Sequence, residues 1–196
     1  QTTLGLDLQF LTNHIGHFIL VTGVLDLLGD AGRVVMLSSG AHHMAPEAGI
    51  ELDNLDGQRD YSPWKMYGQS KLANLLFANE LQRRLTAAGS TLKSLSAQPG
   101  WADTDAGMHS GRKWGDVSWR ASCRAIGQPA DVASLSITYA AAADDVVGGG
   151  YYGPDRFFGM RGLPEPARAG RAATDQALMT ANWVAAEHHT GVRYDV

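Results

Sequence analysis

The chain has 196 residues, of which 44% are hydrophobic and 18% charged, a balance that suits one globular domain over 1–196. Its 16 Lys and Arg against 20 Asp and Glu give a net charge of −4, and the arginines are dispersed, so a nucleic-acid footprint is not expected. The lone Cys123 cannot close an internal disulfide, which suits a reducing compartment, and with no signal peptide visible a soluble, cytoplasmic setting is expected.

In chain order, the apolar spacing at Leu4, Leu8, Leu11, Ile15 and Phe18 predicts a helix running toward Leu28. The apolar stretch from Phe18 to Leu25 is too short and too interrupted to predict a membrane span. Gly29-Asp30-Ala31-Gly32 breaks the helix, and Val34 to Leu37 reads as a short apolar strand of the kind buried in a parallel sheet. Residues 40–63 read as a loop with one turn of helix. A long amphipathic helix is expected from Trp64 to Ala88, stopped by Gly89. Leu92 to Ser96 is the second candidate strand. Residues 105–128 are irregular and too long for a simple connection, which predicts a substrate lid. Met108, Trp114, Trp119 and Cys123 there either line a lipophilic pocket or pin the loop to the core. Pro129 opens a helix ending near Ala143, Gly148 to Tyr152 is the third candidate strand, and Thr174 to His189 the last helix.

Strands alternating with helices predict a parallel α/β sheet, whose ligands bind beyond the carboxyl ends of the strands. Ser39 and Pro99-Gly100 follow the first two strands and fall at that edge. Tyr67 and Lys71 stand four residues apart and so share a helix face. A cation about 5 Å from a phenol, at an effective dielectric near 20, favours phenolate by roughly 3 kcal/mol, or about two pKa units. That would bring a tyrosine toward the range where a proton donor and acceptor works best. The literal Gly-x-Gly-x-x-Gly from Gly148 to Gly153 continues into Pro154 and not into a helix, so it reads as a turn leading into a strand. His14 and His17, His42-His43 and His188-His189 lack the carboxylates or cysteines of a metal site, and no metal is expected. Ser62-Pro63-Trp64-Lys65 matches the Ser-x-x-Lys of penicillin-recognising acylases, but no Ser-Asp-Asn or Lys-Thr-Gly follows.

Four ordered blocks resemble the short-chain dehydrogenase/reductase family, and the string from Tyr67 to Leu81, YGQSKLANLLFANEL, resembles its retinol-dehydrogenase-like branch. Tyr67 and Lys71 fit the catalytic Tyr-x-x-x-Lys, Thr12 to Phe18 the helix with the catalytic asparagine, Arg33 to Ser39 the strand ending in the catalytic serine, and Gln98 to Thr104 the cofactor loop. The resemblance implies a Rossmann-like doubly wound parallel sheet, here its C-terminal portion with three candidate strands, and the C-terminal two thirds of an enzyme lacking the N-terminal cofactor-binding half. It implies an NAD- or NADP-dependent oxidoreductase interconverting an alcohol and a carbonyl, on a bulky lipophilic substrate. Tyr67 would be the general acid/base. Lys71 would tune it and bind ribose, Ser39 would donate to the substrate oxygen, and Asn13 would hold a relay water. Pro99, Gly100 and Thr104, with Tyr67 and Lys71, would contact the cofactor. Gln98 stands where this branch usually has histidine, and Trp101 where a small aliphatic is common. A homodimer through the two long helices is expected. A non-catalytic fragment or interaction module is the alternative.

Overall fold

Asp7 starts the first helix: its Oδ1 accepts from the backbone N–H of Gln9 at 2.9 Å and of Phe10 at 3.1 Å, as an N-cap does. In the computed structural model, which describes residues 2, 4–104, 121–123 and 126–194, this helix (α1) runs over Leu8–Leu27. It is α-helical over Leu8–Phe10, π-helical over Leu11–Ile15, α-helical again over Gly16–Val24 and 3-10 over Leu25–Leu27. The wider turn inserts a residue, which rotates the helix beyond it by roughly 100°. The buried positions are therefore Phe10, His14, Ile15, Phe18, Thr22 and Leu25, while Leu4 and Leu8, expected on the core face, are exposed. By length and composition alone α1 could cross a bilayer, although Phe10, Ile15, Phe18 and Leu25 are packed in the core.

The sheet has the order β1-β2-β3-β4, with β1 at Arg33–Leu37, β2 at Lys93–Ala97, β3 at Tyr151–Arg156 and β4 at Arg161–Pro166. The three expected strands are present and parallel, but β4 is antiparallel to β3, so the sheet is mixed. Its sequence, RGLPEP, does not alternate and carries two prolines, which only an edge strand tolerates. Pleating sorts the other residues onto two faces. Val34 and Met36 join the cluster containing the long helix α2, Pro63–Ala87. Val35, Leu95, Ala97 and Tyr152 join a second cluster with α3, Ala130–Ala142. Helices thus cover both faces.

Pro63 occupies the first turn of α2 and Gly89, at φ +70°, ends it, with Ser90 N–H donating to the Leu85 carbonyl at 2.9 Å. The middle of α2 is buried nearly all round, from Gly68 to Ala78. The last helix, α4 at Gln176–Thr190, packs on it. Trp183 stacks on Phe77 with centroids 5.3 Å apart, and the Arg84 guanidinium lies 4.2 Å over the Trp183 ring. Most of the expected lid, including Met108, Trp114 and Trp119, lies outside the described residues; Cys123 and Gln128 at its far end are buried.

Candidate active site

Because β1 and β2 are parallel, Ser38-Ser39 and Gln98-Pro99-Gly100 leave the sheet at the same edge. Ser38 is buried and its hydroxyl donates to the Lys71 carbonyl at 2.9 Å, so it ties α2 to the strand end. Ser39 is half-buried and caps the 3-10 turn Gly40–Met44, its Oγ accepting from Ala41 N–H at 3.2 Å. That bond uses a lone pair and leaves the hydroxyl proton available.

The first turns of α2 pass directly over this 3-10 turn. A Cβ on Gly68 would lie 2.8 Å from the Ala41 carbonyl oxygen and 2.9 Å from the Ala45 nitrogen, so only glycine allows the two backbones to meet. The contact falls beside Tyr67, which is half-buried with its ring edge to Trp64. The Lys71 Nζ stands 5.6 Å from the Tyr67 ring centroid and donates to the Leu37 carbonyl at 3.2 Å. Burial holds the Lys71 pKa below the ordinary lysine range.

Asn13 sits in the π-helical turn, where the intrahelical ladder is loosened. Its Nδ2 donates to Ser70 Oγ at 3.0 Å, and its carbonyl accepts from Asn74 Nδ2 at 3.0 Å. Asn74 Nδ2 also donates to the Leu37 carbonyl at 2.9 Å, so Leu37 is shared between Lys71 and Asn74. Behind this bridge lies a buried histidine. His14 Nδ1–H donates to Asn74 Oδ1 at 3.2 Å, and Nε2 accepts from Asn182 of α4 at 3.3 Å. Asn13 is thus linked to Lys71 through Asn74 and the shared Leu37 carbonyl, and to the Tyr67 backbone carbonyl through Ser70, while Ser39 follows Leu37 by two residues.

His42 is a second buried histidine beside the site. Its Nδ1–H donates to the Ser39 carbonyl at 2.6 Å, and its Nε2 accepts from Gly170 N–H at 3.1 Å. Burial, opposed by the bond to Ser39, holds its pKa down at about 4; burial does the same for His14. Gly68, Asn74, His14 and His42 were not singled out as site residues from sequence. From sequence the histidines stand only as residues without the partners of a metal site, and the contacts alone show their placement.

The loop beyond β2 is fastened to the β3–β4 hairpin. Gly100 has φ +71°, and a Cβ there would lie 2.4 Å from the Met160 carbonyl oxygen, so the close approach at this glycine is to protein. Trp101 N–H donates to the same oxygen at 2.7 Å, and Gln128 Nε2 to the Pro99 carbonyl at 3.0 Å. Thr104 is exposed at the far end of the loop. The Gly148–Gly153 run leads into β3, as expected of a turn. Side chains of Gln82 and Tyr152 fill the spaces at Gly148 and Gly150, which leaves no open phosphate cradle there. No His, Cys, Asp or Glu cluster among the described residues could hold a metal.

No family model matches the chain. It is 32% identical to the polyprenol dehydrogenase of Mus musculus over 204 aligned positions, covering 97% of this chain and 56% of that protein. It is 44% identical to short-chain dehydrogenase TIC 32 A of Brassica napus over 114 positions, and 43% identical to human retinol dehydrogenase 13 over 110. Those two alignments cover 55% of this chain and 36% and 32% of the relatives. The chain therefore spans about a third to just over half the length of these relatives. The crystal structure of an uncharacterized protein from Mycobacterium paratuberculosis superposes with a TM-score of 0.77 at 38% identity, covering 100% of this chain and 63% of that one. A mixed α/β sheet carrying Tyr-x-x-x-Lys beneath a strand that ends in Ser-Ser, with named dehydrogenases as relatives, has one consistent reading: the chain belongs to the short-chain dehydrogenase/reductase family and is similar to its retinol-dehydrogenase-like members.

Proposed function

We propose that these residues form the catalytic portion of an NAD- or NADP-dependent oxidoreductase that interconverts an alcohol and a carbonyl on a lipophilic substrate. The observation that carries this reading is the shared helix face of Tyr67 and Lys71, with the Lys71 Nζ 5.6 Å from the Tyr67 ring centroid, on a helix that Gly68 seats on the turn capped by Ser39. A polyprenol and a retinol dehydrogenase among the relatives support the lipophilic substrate class.

The donor set fits the nicotinamide-ribose end of a dinucleotide. Lys71 spends one N–H on Leu37 and has others for ribose hydroxyls, and Pro99, Gly100 and Thr104 form the turn beyond β2 that would flank the ring. A bound nicotinamide supplies or takes up the hydride. The residues of the chain manage the oxygen and its proton. In reduction Tyr67 Oη gives its proton to the carbonyl oxygen, and in oxidation the Tyr67 phenolate takes the proton of the alcohol, while in both directions the Ser39 hydroxyl donates to the same oxygen. Asn74 and Ser70 hold Asn13 beside Lys71, from where a water on Asn13 would return protons to the phenol.

Tyr67→Phe in the native polypeptide is the test, with NADH and NADPH against long-chain aldehydes. Loss of the hydroxyl at nearly constant volume is expected to lower kcat by about 10²-fold or more, with cofactor binding and melting temperature unchanged. Activity within about tenfold of wild type overturns the assignment.

A further inference from the structure

The turn joining β3 to β4 places two adjacent phenylalanines in a conformation that bulky residues rarely adopt: Phe157 at φ 51° and Phe158 at φ 58°, followed by Gly159 at φ 78°. Strain of this kind persists only where surrounding structure over-determines it. Here Met160 N–H donates to the Arg156 carbonyl at 3.1 Å, Gln98 Nε2 to the Gly159 carbonyl at 3.3 Å, and Trp101 N–H to the Met160 carbonyl at 2.7 Å. The tip is thus rigidly joined to the loop beyond β2. Yet the side chains so held meet little protein. Phe158 is 103% exposed, and Phe157 and Leu163 of β4 are each 60% exposed. The half-buried Arg161 holds its guanidinium 5.9 Å from the Phe157 ring centroid, and Arg156 before the tip is exposed, in a loose 3.7 Å pair with Asp155. From Tyr151 to Arg171 the chain carries four arginines and two carboxylates, a net +2 within a chain of net −4.

We propose that this hairpin tip is a peripheral docking site for an anionic lipid surface. Phe157, Phe158 and Leu163 enter the boundary between headgroups and acyl chains, and Arg156 and Arg161 meet the phosphates. The shape favours lipid over protein. Two convex aromatics bury roughly 150–250 Å² each, well short of the ~800 Å² per partner of a stable protein interface, whereas a fluid bilayer closes around a projection without a matching groove. Docking there would bring the carboxyl edge of the sheet, through the loop beyond β2, to the surface in which a lipophilic alcohol dissolves. Lipid binding is read without catalysis, so it can fail or hold independently of the dehydrogenase assignment.

The test is sedimentation of the purified chain with vesicles of phosphatidylcholine alone and of phosphatidylcholine mixed with phosphatidylglycerol. Wild type is expected to partition about tenfold more strongly onto the mixed vesicles. The double variant Phe157→Asn, Phe158→Asn should lower that partitioning about tenfold or more. Its melting temperature should be unchanged or higher, because asparagine tolerates the left-handed region and is polar. Arg156→Gln with Arg161→Gln should abolish the preference for phosphatidylglycerol. No binding of wild type to mixed vesicles overturns the proposal, as does binding by the asparagine variant at the wild-type level, which would put the contact elsewhere, such as on the exposed side of α1. Self-association that the asparagine variant removes, without lipid binding, would make the tip a protein contact and overturn it equally.

Discussion

Gly68 has no room for a side chain, because the atoms a Cβ would meet are backbone: the Ala41 carbonyl oxygen at 2.8 Å and the Ala45 nitrogen at 2.9 Å. Alanine ordinarily stabilises a helix interior over glycine by up to about 1 kcal/mol. Here the clash outweighs that gain, and Gly68→Ala is expected to lower stability by about 1–3 kcal/mol, with a lower urea midpoint and weakened catalysis as the Ser39 turn shifts. A more stable variant would show that the turn yields easily. The buried histidines make a second prediction. His14 and His42 are held neutral in the fold at about 4 against 6.5, so the unfolded chain binds protons that the native state refuses. Their contribution is complete above the unfolded value and is lost as pH falls from about 6.5 toward 4, on the order of 3 kcal/mol each at most. Urea melts at about pH 7 and pH 4.5 should show that loss, and His42→Gln, which cannot titrate, should flatten it. A slope unchanged in the variant would remove His42 from the account.

At the scale of elements, α4 is locked to α2 by a charged and aromatic clasp. The Glu80 carboxylate is fully covered and accepts from Arg83 at 2.7 and 2.8 Å and from Arg84 Nε at 2.9 Å. Burial pushes the Glu80 pKa up, but the two guanidiniums outweigh it and hold the group below the ordinary carboxylate range. Arg84 in turn lies over the Trp183 ring, so removing the carboxylate charge loosens the α2–α4 contact as well. Glu80→Gln is expected to cost about 1–3 kcal/mol, because a covered carboxylate that accepts three charge-assisted bonds becomes a neutral amide, while Arg83 stays open to solvent. A fall in urea midpoint at unchanged slope would register that loss. A change under about 0.5 kcal/mol would mean the pair behaves as a surface ion pair.

At the scale of the whole molecule, α1 presents Leu8, Ile19, Leu20, Val24 and Leu27 to solvent, while the middle of α2, from Gly68 to Ala78, is covered nearly all round. We propose that the homodimer expected from two long helices forms chiefly through α1. Sedimentation equilibrium should find a dimer that Leu20→Glu with Leu27→Glu converts to monomer, with little effect on the monomer's fold because both side chains are already exposed. A monomeric wild type would count against this assembly.

Local chemistry made much of the protein legible without coordinates. The capping pattern around Pro63 and Gly89 located α2, the apolar run before Ser38 located β1, and the spacing of Tyr67 and Lys71 set them on one helix face, because each depends only on neighbours along the chain. Other features depend on partners far away in sequence and were decided by the tertiary structure alone. The helix began only after Asp7, which left Leu4 outside it, and the π-helical turn at Asn13 rotated α1 so that Leu8 left the core. β4 formed from a Pro- and Gly-containing segment because pairing with β3 at an edge outweighs its poor propensity. Ser38 turned inward onto the Lys71 carbonyl while Ser39 stayed half-buried, and His14 and His42 became neutral supports only once α4 and the Gly170 segment closed over them. Sequence thus determined the chemistry carried on each element; packing between distant elements decided which side chains face one another, since burial and long-range hydrogen bonds exist only after the chain has folded.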